Sequence, residues 1–280
     1  MLKSCFTLKN SIESIAIGGF DGMHLAHQEL FKRLCRNGAI VVIETGYANL
    51  TPKVNRAKYT TFPLFYYPLL DIKHLSPQEF IRLLKDEYPN LKKIVIGFDF
   101  KFGSNASGSI DNLRELFDGN IEVVEEFFYE NIAVHSRVIR DLISSGEITN
   151  ANTLLGKNYE ISGLHIKGQG LGKKQFVPTI NIKCENFLVP NSGIYSTFTI
   201  IENVRYLSVT FIGHRVSTDG LYAIETHLID KTLEEFLGHI EIEFVEKIRD
   251  NQKYNDLEKL KKQILNDIAT VKEKSYTSGQ

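Results

Sequence analysis

The spacing of hydrophobic residues changes character near Gly156, and that change most limits what the chain can fold into. Before it, short apolar runs alternate with segments of helical spacing. Ser14 to Ile17 reads as a strand ending at Gly18-Gly19, and Leu25 to Leu34 follows with helical spacing. Ala39 to Ile43 is β-branched and short enough for a buried parallel strand. Ser76-Pro77-Gln78-Glu79 forms a capping box with proline at the first helical position, which predicts a helix reaching Glu87. Ile94 to Gly97 and Ile121 to Glu125 add two strands, with a short helix from Asp111 to Phe117 between them. Ser136 to Leu155 reads as two helices broken near Ser145-Gly146. This alternation predicts a parallel α/β sheet with helices on both faces.

After Gly156 the period is mainly two. Tyr159–Lys167, Thr179–Lys183, Ile194–Ile201, Tyr206–Ile212, Leu221–Leu228 and Ile240–Phe244 read as strands separated by Gly, Pro and Asn. Short strands so spaced predict a six-stranded antiparallel β-barrel. Leu257, Leu260, Ile264, Leu265 and Ile268 recur at helical spacing, which predicts a closing helix on that barrel. The expected modules are 1–155 and 156–272, with a tail over 273–280.

Composition bounds the partners. The 280 residues are 42% hydrophobic and 24% charged, enough for two globular cores. A formal net charge of -1 predicts no nucleic-acid or membrane partner held by bulk electrostatics. Three cysteines without a CxxC pair suggest neither a disulfide framework nor a zinc site, so a reducing cytoplasm is expected. The polar N-terminus predicts no signal peptide, and no apolar run approaches the roughly 18 residues of a membrane span. A homo-oligomer is left open.

The first chemical constellation is GGFDGMHLAHQEL, Gly18 to Leu30. A strand ends, glycines turn the backbone, and a helix begins near Leu25. Gly19, Phe20, Asp21 and Gly22 then form a turn able to cradle phosphate at the start of a helix. His24 and His27 share one face of the first turn, where two imidazoles can stabilise charge developing on an attacked α-phosphate. Ser136 and Arg140 sit at a second predicted helix start. Two polar helix-start histidines without a catalytic role are the competing reading of an isolated HxxH.

These residues resemble the HxGH nucleotide-binding motif of the nucleotidyltransferase superfamily. In its longer form the motif is similar to that of the adenylyltransferase module of bacterial bifunctional riboflavin kinase/FAD synthetases. Ile96 to Gly108, IGFDFKFGSNASG, is similar to that family's nucleotide- and flavin-contacting loop. The resemblance therefore implies Asp99 at the nucleotide and Phe102 at the flavin. HSRVIR, His135 to Arg140, stands where the family has Ser-Ser-Thr-x-x-Arg, which implies Ser136 and Arg140 at the phosphates. The chain departs from the pattern at Gly19, Ala26, His135 and Arg137, and Thr45 to Pro52 lacks the family's Asp/Glu-Pro-His-Pro. A Rossmann-like nucleotidyltransferase sheet is the implied fold.

The second constellation lies in the barrel half. Gly168 to Lys174 is a glycine-rich basic loop, in which Gly168, Gly172 and Lys173 suit polyphosphate. Pro178-Thr179-Ile180-Asn181 resembles the Pro-Thr-Ala-Asn motif of riboflavin kinases, which implies Thr179 and Asn181 as ligands of nucleotide-bound Mg²⁺. Glu225 lies in a strand otherwise rich in apolar residues, where a carboxylate is costly without a role or a partner. Its Glu-x-His context resembles the family's catalytic strand and implies Glu225 as general base. Lys247 to Asp250 resembles a flavin-lining stretch, which implies Arg249 at the flavin.

Taken together, the resemblance implies phosphorylation of riboflavin to FMN and adenylation of FMN to FAD, with ATP and Mg²⁺. The catalytic residues implied are Glu225, His24, His27 and Arg140. Two alternatives stay open: a riboflavin kinase with a degenerate first module, and a non-catalytic flavin or nucleotide sensor.

Overall fold

A computed structural model describes residues 8–166, 177–217, 219–231 and 238–277. The chain divides into two compact units, Met1–Ser136 and Arg137–Gln280.

The first unit carries β1 (Ser14–Gly18), α1 (Leu25–Phe31), β2 (Gly38–Glu44), a 3-10 helix (Lys53–Tyr59), β3 (Leu64–Pro68), α2 (Leu69–Ile72), α3 (Pro77–Glu87), β4 (Lys93–Gly97), α4 (Ile110–Leu116), β5 (Asn120–Val124) and a hairpin of β6 (Phe128–Tyr129) and β7 (Ile132–Ala133). The first five strands form one parallel sheet in the order β3-β2-β1-β4-β5. Alternation along the strands supplies two cores. Ile15, Ile17, Val41, Ile94 and Ile96 face Phe80, Ile81, Leu84 and Leu113, which come from α3 and α4. Ala16, Ile40, Val42 and Val95 face Leu30 and Phe31 of α1 on the other side. The capping box of α3 forms as expected, with Ser76 Oγ accepting from Glu79 N at 3.2 Å and Glu79 Oε2 accepting from Ser76 N at 2.7 Å. β3 and the β6–β7 hairpin are additional to the expected strands.

This order has a consequence for ligands. The chain builds outward from β1 through β2 to β3, then returns to start β4 on the opposite side of β1. The β1–β4 neighbourhood is therefore the topological switch point, where loops leaving the strand ends diverge and open a crevice. Those loops begin at Gly18 and Gly97.

The chain continues with α5 (Ser136–Ser145), α6 (Ile148–Leu155), β8 (Tyr159–Ile166), β9 (Ile180–Cys184), β10 (Gly193–Ile201), β11 (Val204–His214), β12 (Tyr222–Leu228), β13 (His239–Arg249) and α7 (Leu257–Thr277). The strands close as a six-stranded barrel in the order β10-β11-β12-β9-β8-β13, and every pairing is antiparallel. Both helices ahead of the barrel are sewn to it. Asn191 N donates to Ile143 O of α5 at 3.3 Å, and Asn152 of α6 donates to Phe244 O at 2.8 Å while accepting from Tyr159 N at 2.7 Å. The compact units thus divide at Ser136/Arg137, ahead of the junction expected at 155/156.

The barrel interior is part aromatic and part hydroxyl. Tyr195 meets Phe244 edge-on at 5.4 Å. Beside them, five fully buried hydroxyls close a ring: Thr197–Ser208 at 2.8 Å, Ser208–Thr199 at 2.8 Å, Thr199–Thr226 at 2.9 Å, Thr226–Thr210 at 3.0 Å and Thr210–Thr197 at 2.8 Å. Each hydroxyl has one proton, so a ring lets each donate once and accept once. The ring joins β10, β11 and β12, and it strands its members if one is removed. Thr199→Val keeps the shape but leaves Ser208 and Thr226 each short of a partner. Denaturant unfolding of the barrel is expected to show a loss of about 1–3 kcal/mol. An unchanged midpoint would mean that the ring contributes nothing.

Candidate functional site

The loop leaving β1 is held in a backbone conformation that L-residues rarely adopt. Phe20 and Met23 have φ of 48° and Gly22 has φ of 90°. Two non-glycine residues there carry strain that the surroundings must over-determine. Contacts of Asp21, Gly22, Arg56 and Ser136 do so. The Asp21 carboxylate accepts backbone N–H bonds from Asn49 (3.1 Å), Leu50 (3.0 Å) and Thr51 (2.9 Å). Gly22 N donates to Thr51 Oγ1 at 2.8 Å. Arg56, almost fully buried, donates from Nε to Phe20 O at 3.3 Å and from Nη1 to Glu44 at 2.9 Å. Ser136 Oγ donates to Asp21 O at 2.7 Å.

That loop delivers the two histidines. Their rings stack with centroids 3.5 Å apart and 19° between planes, and His27 also meets the Phe20 ring edge-on at 5.2 Å. His24 is buried, with Nε2 3.2 Å from Ser136 Oγ. The Ser136 proton is engaged by Asp21 O, so Nε2 of His24 is the donor in that contact. His27 is only half-buried. Arg140 follows Ser136 on α5 and is also half-buried.

Several expected contacts are reassigned. Asp21 was expected at the nucleotide, but its carboxylate is the clamp that shapes the loop. The Phe20 ring is a core side chain that backs the His27 ring. Phe102, expected at the flavin, is buried against Phe80 and Phe100 at 5.8 and 5.7 Å, and Gly108 leaves room for its ring. The exposed aromatic in that loop is Phe98, beside the exposed Asp99 at the end of β4. α1 ends at Phe31 rather than Leu34. A helix that short has a weak dipole, so anion binding there would rest on side chains and the tightened loop.

The expected barrel residues meet at one seam. β9 meets β12 through only two opposed pairs, Glu225 with Asn181 and Thr226 with Ile180. Directly opposed residues share a face, so Glu225 and Asn181 lie side by side. Thr179 precedes Asn181 by two residues and is exposed. Glu225 Oε1 accepts from Arg215 Nη1 at 3.0 Å, and Arg215 Nη2 reaches Asp219 Oδ2 at 3.0 Å. Burial pushes the Glu225 carboxyl above the ordinary carboxylate range, against the opposing pull of Arg215. His227 Nδ1 donates to Pro178 O at 2.8 Å, which ties the approach to β9 onto β12.

The donor set fits a nucleotide-bound divalent ion. Among the described residues no group of three or more His, Cys, Asp or Glu could cage a metal. Thr179 and Asn181 offer hard neutral oxygens beside one carboxylate. Such a set suits an ion that keeps water and phosphate as its other ligands. Gly168, Gly172 and Lys173 lie outside the described residues.

Comparison with known proteins decides the family. A riboflavin kinase family model matches residues 155–275, and an FAD synthetase family model matches residues 69–138. A bifunctional riboflavin kinase/FMN adenylyltransferase from Buchnera aphidicola is 30% identical over 94% of both chains. The chain belongs to the bifunctional riboflavin kinase/FMN adenylyltransferase family. Members from Bacillus subtilis and Escherichia coli K12 are 28% and 26% identical, over 90% and 92% of this chain and 89% and 91% of theirs. A crystal structure described as a macrolide-efflux protein from Streptococcus pneumoniae has a TM-score of 0.83 at 24% identity over 94% of each chain, a likeness of fold alone.

The resemblance to this riboflavin kinase/FMN adenylyltransferase family implied Arg249 at the flavin. Its guanidinium forms a fork with Asp267 of α7, Nε to Oδ1 at 2.9 Å and Nη2 to Oδ2 at 2.7 Å, a structural partner that the resemblance did not indicate. Asp267 is buried, so removing its partner strands a charge. Arg249→Met is expected to lower barrel stability by about 3 kcal/mol with little change in riboflavin KM. A raised KM at unchanged melting temperature would restore the flavin role. Sequence reading also missed Arg215 and Arg56. Arg215 is in principle readable, because folding β11 back on β12 as a hairpin brings it toward Glu225. Arg56 sits in a polar stretch without periodicity and has no such signal.

Proposed function

We propose that this chain phosphorylates riboflavin in its barrel unit and adenylates FMN with its parallel-sheet unit, as a transferase of FAD biosynthesis. Two juxtapositions support this reading, each inside one compact unit. Glu225 stands opposite Asn181 across the β9–β12 seam, and His24 and His27 stack above a clamped turn beside Ser136.

In the barrel, Glu225 takes the proton from the riboflavin 5′-hydroxyl. The oxygen bonds to the γ-phosphorus of ATP as the bond to the departing ADP breaks. Thr179 and Asn181 hold the nucleotide's divalent ion, which we assign as Mg²⁺. When bound, it neutralises charge on the phosphates. In the sheet unit, a phosphate oxygen of FMN bonds to the α-phosphorus of a second ATP, and pyrophosphate leaves. His27 stabilises the charge that develops, while His24 and Ser136 hold the loop and helix start in place. Asp99 and the exposed Phe98 follow β4, and we assign them to contacts with nucleotide and flavin. The small-molecule partners are riboflavin, FMN and ATP, with no nucleic acid. We place the enzyme in the cytoplasm, and among the described residues no helix is long and apolar enough to cross a membrane.

A match to both family models favours two activities over a kinase with a degenerate partner or a sensor without catalysis. The test is incubation with riboflavin, ATP and magnesium, with flavins resolved by chromatography. FAD is the expected end product. Accumulation of FMN that never proceeds, even when FMN is supplied, would reduce the chain to a kinase. Flavin binding without turnover would leave only a binding protein.

A further inference from the structure

We propose that Arg215 is a positioning residue for phosphoryl transfer, holding one oxygen of Glu225 so that the other faces the acceptor hydroxyl. The inference rests on Glu225 as the base and concerns how that base is held.

Arg215 is fixed at its root. It begins the β11–β12 connection, where its N–H donates to Leu221 O at 3.0 Å and its carbonyl accepts from Gly220 N at 3.1 Å. The turn closes through Gly220, at φ of 74°, and through Asp219 Oδ1 accepting from Leu221 N at 3.1 Å. His214, just before it, is held by Nδ1 donating to Gly220 O at 2.9 Å and by its own carbonyl accepting from Asn251 at 2.7 Å. The side chain is fixed as well. Its two terminal nitrogens fork to two different carboxylates, Glu225 and Asp219, both at 3.0 Å. All three side chains are about four-fifths covered, with exposures of 18%, 18% and 21% for Arg215, Glu225 and Asp219.

The geometry leaves Glu225 half-engaged. Oε1 is bonded to Arg215, and Oε2 makes no hydrogen bond among the described residues. A glutamate on a strand turns broadly about its last torsion, so an unanchored carboxylate samples many orientations. An anchor on one oxygen fixes the plane and leaves the other oxygen to accept a proton. A planar guanidinium suits this task, because it forks in a set geometry and itself exchanges no proton. Among the described residues, Lys183 and His227 beside this seam are engaged elsewhere, Lys183 with Glu185 at 2.8 Å and His227 with Pro178 O. Asp219 completes the device by stopping the guanidinium from turning away.

Such a residue affects the chemical step and leaves binding alone. Arg215→Met is expected to lower kcat for FMN formation roughly 10- to 100-fold, since an ångström of misplacement at a reacting group costs on that order. The KM values for riboflavin and ATP are expected to stay within about threefold, because the guanidinium acts through Glu225 on the chemical step. Arg215→Lys should recover part of kcat, because a point charge reaches one carboxylate but does not fork to both. Asp219→Asn should fall between wild type and Arg215→Met, and it carries the test if Arg215→Met fails to fold. Adenylation of supplied FMN serves as the internal control. A wild-type kcat in Arg215→Met, or a loss confined to KM, overturns the proposal. So does a lysine variant no better than methionine when both bind riboflavin normally. Glu225→Gln separates this failure from that of the underlying reading. If it still makes FMN at the wild-type rate, the base assignment fails. If it is inactive while Arg215→Met is normal, only the Arg215 inference fails.

Discussion

Glu225→Gln is expected to stop FMN formation while leaving adenylation of supplied FMN at its wild-type rate. The substitution preserves volume and a hydrogen-bonding carbonyl but removes the only change that matters to a base, the ability to take a proton. General-base removal commonly lowers rates about 10²- to 10⁴-fold. Structural damage is expected to be small. Burial already disfavours the ionised carboxylate, so a neutral amide relieves a desolvation cost as it loses the attraction of Arg215. Thr179 and Asn181 are untouched, so nucleotide affinity should persist. Riboflavin consumption followed by chromatography, with a melting curve on the same protein, checks the result. A variant within tenfold of wild type would show that proton removal is done by another group or by solvent.

Much of this arrangement is readable in the residues, and the gaps have physical causes. The strands of the parallel sheet stand out because buried parallel strands are short β-branched runs, as in Ala39 to Ile43. β3 does not, since its sequence LFYYP is aromatic, ends in proline and follows Pro63, which reads as loop. Its edge position in the sheet tolerates that composition. The β6–β7 hairpin has strands of two residues, too short for any period, and its turn uses Glu130 and Asn131 at positive φ in place of glycine. β13 runs to Arg249, beyond the expected Phe244, because pairing with β10 continues through a charged stretch that hydrophobic alternation does not mark.

The site shows the same division. Residue type and spacing identify Glu225, Asn181, His24 and His27 as chemically capable. They do not reveal a side chain's partner. Asp21 and Arg249 look like ligand contacts until the backbone of residues 49–51 and the Asp267 carboxylate are seen to occupy them. Phe102 looks like a flavin platform, yet it is buried, and the exposed aromatic of that loop is Phe98. The strand order that puts β9 between β12 and β8 is equally silent in the residues, and it is what brings Asn181 next to Glu225.

His27→Ala is expected to do the reverse of the barrel substitution, leaving FMN formation intact and cutting FAD formation about 10²- to 10³-fold, the usual loss for one donor aimed at developing charge. His27 is the better choice of the pair. His24 is buried and its Nε2 is bonded to Ser136, so removing it also disturbs the start of α5. His27 is half-buried and touches the loop through ring contacts with His24 and Phe20. Losing those contacts is expected to cost about 0.5–1.5 kcal/mol, too little to unfold the unit. Alanine also suits its helical position. With riboflavin and ATP supplied, FMN should therefore accumulate and FAD should appear only slowly. FAD production at the wild-type rate would reduce the histidine pair to a structural stack. Parallel loss of both activities at an unchanged melting temperature would mean that the two reactions are not divided between the units as argued.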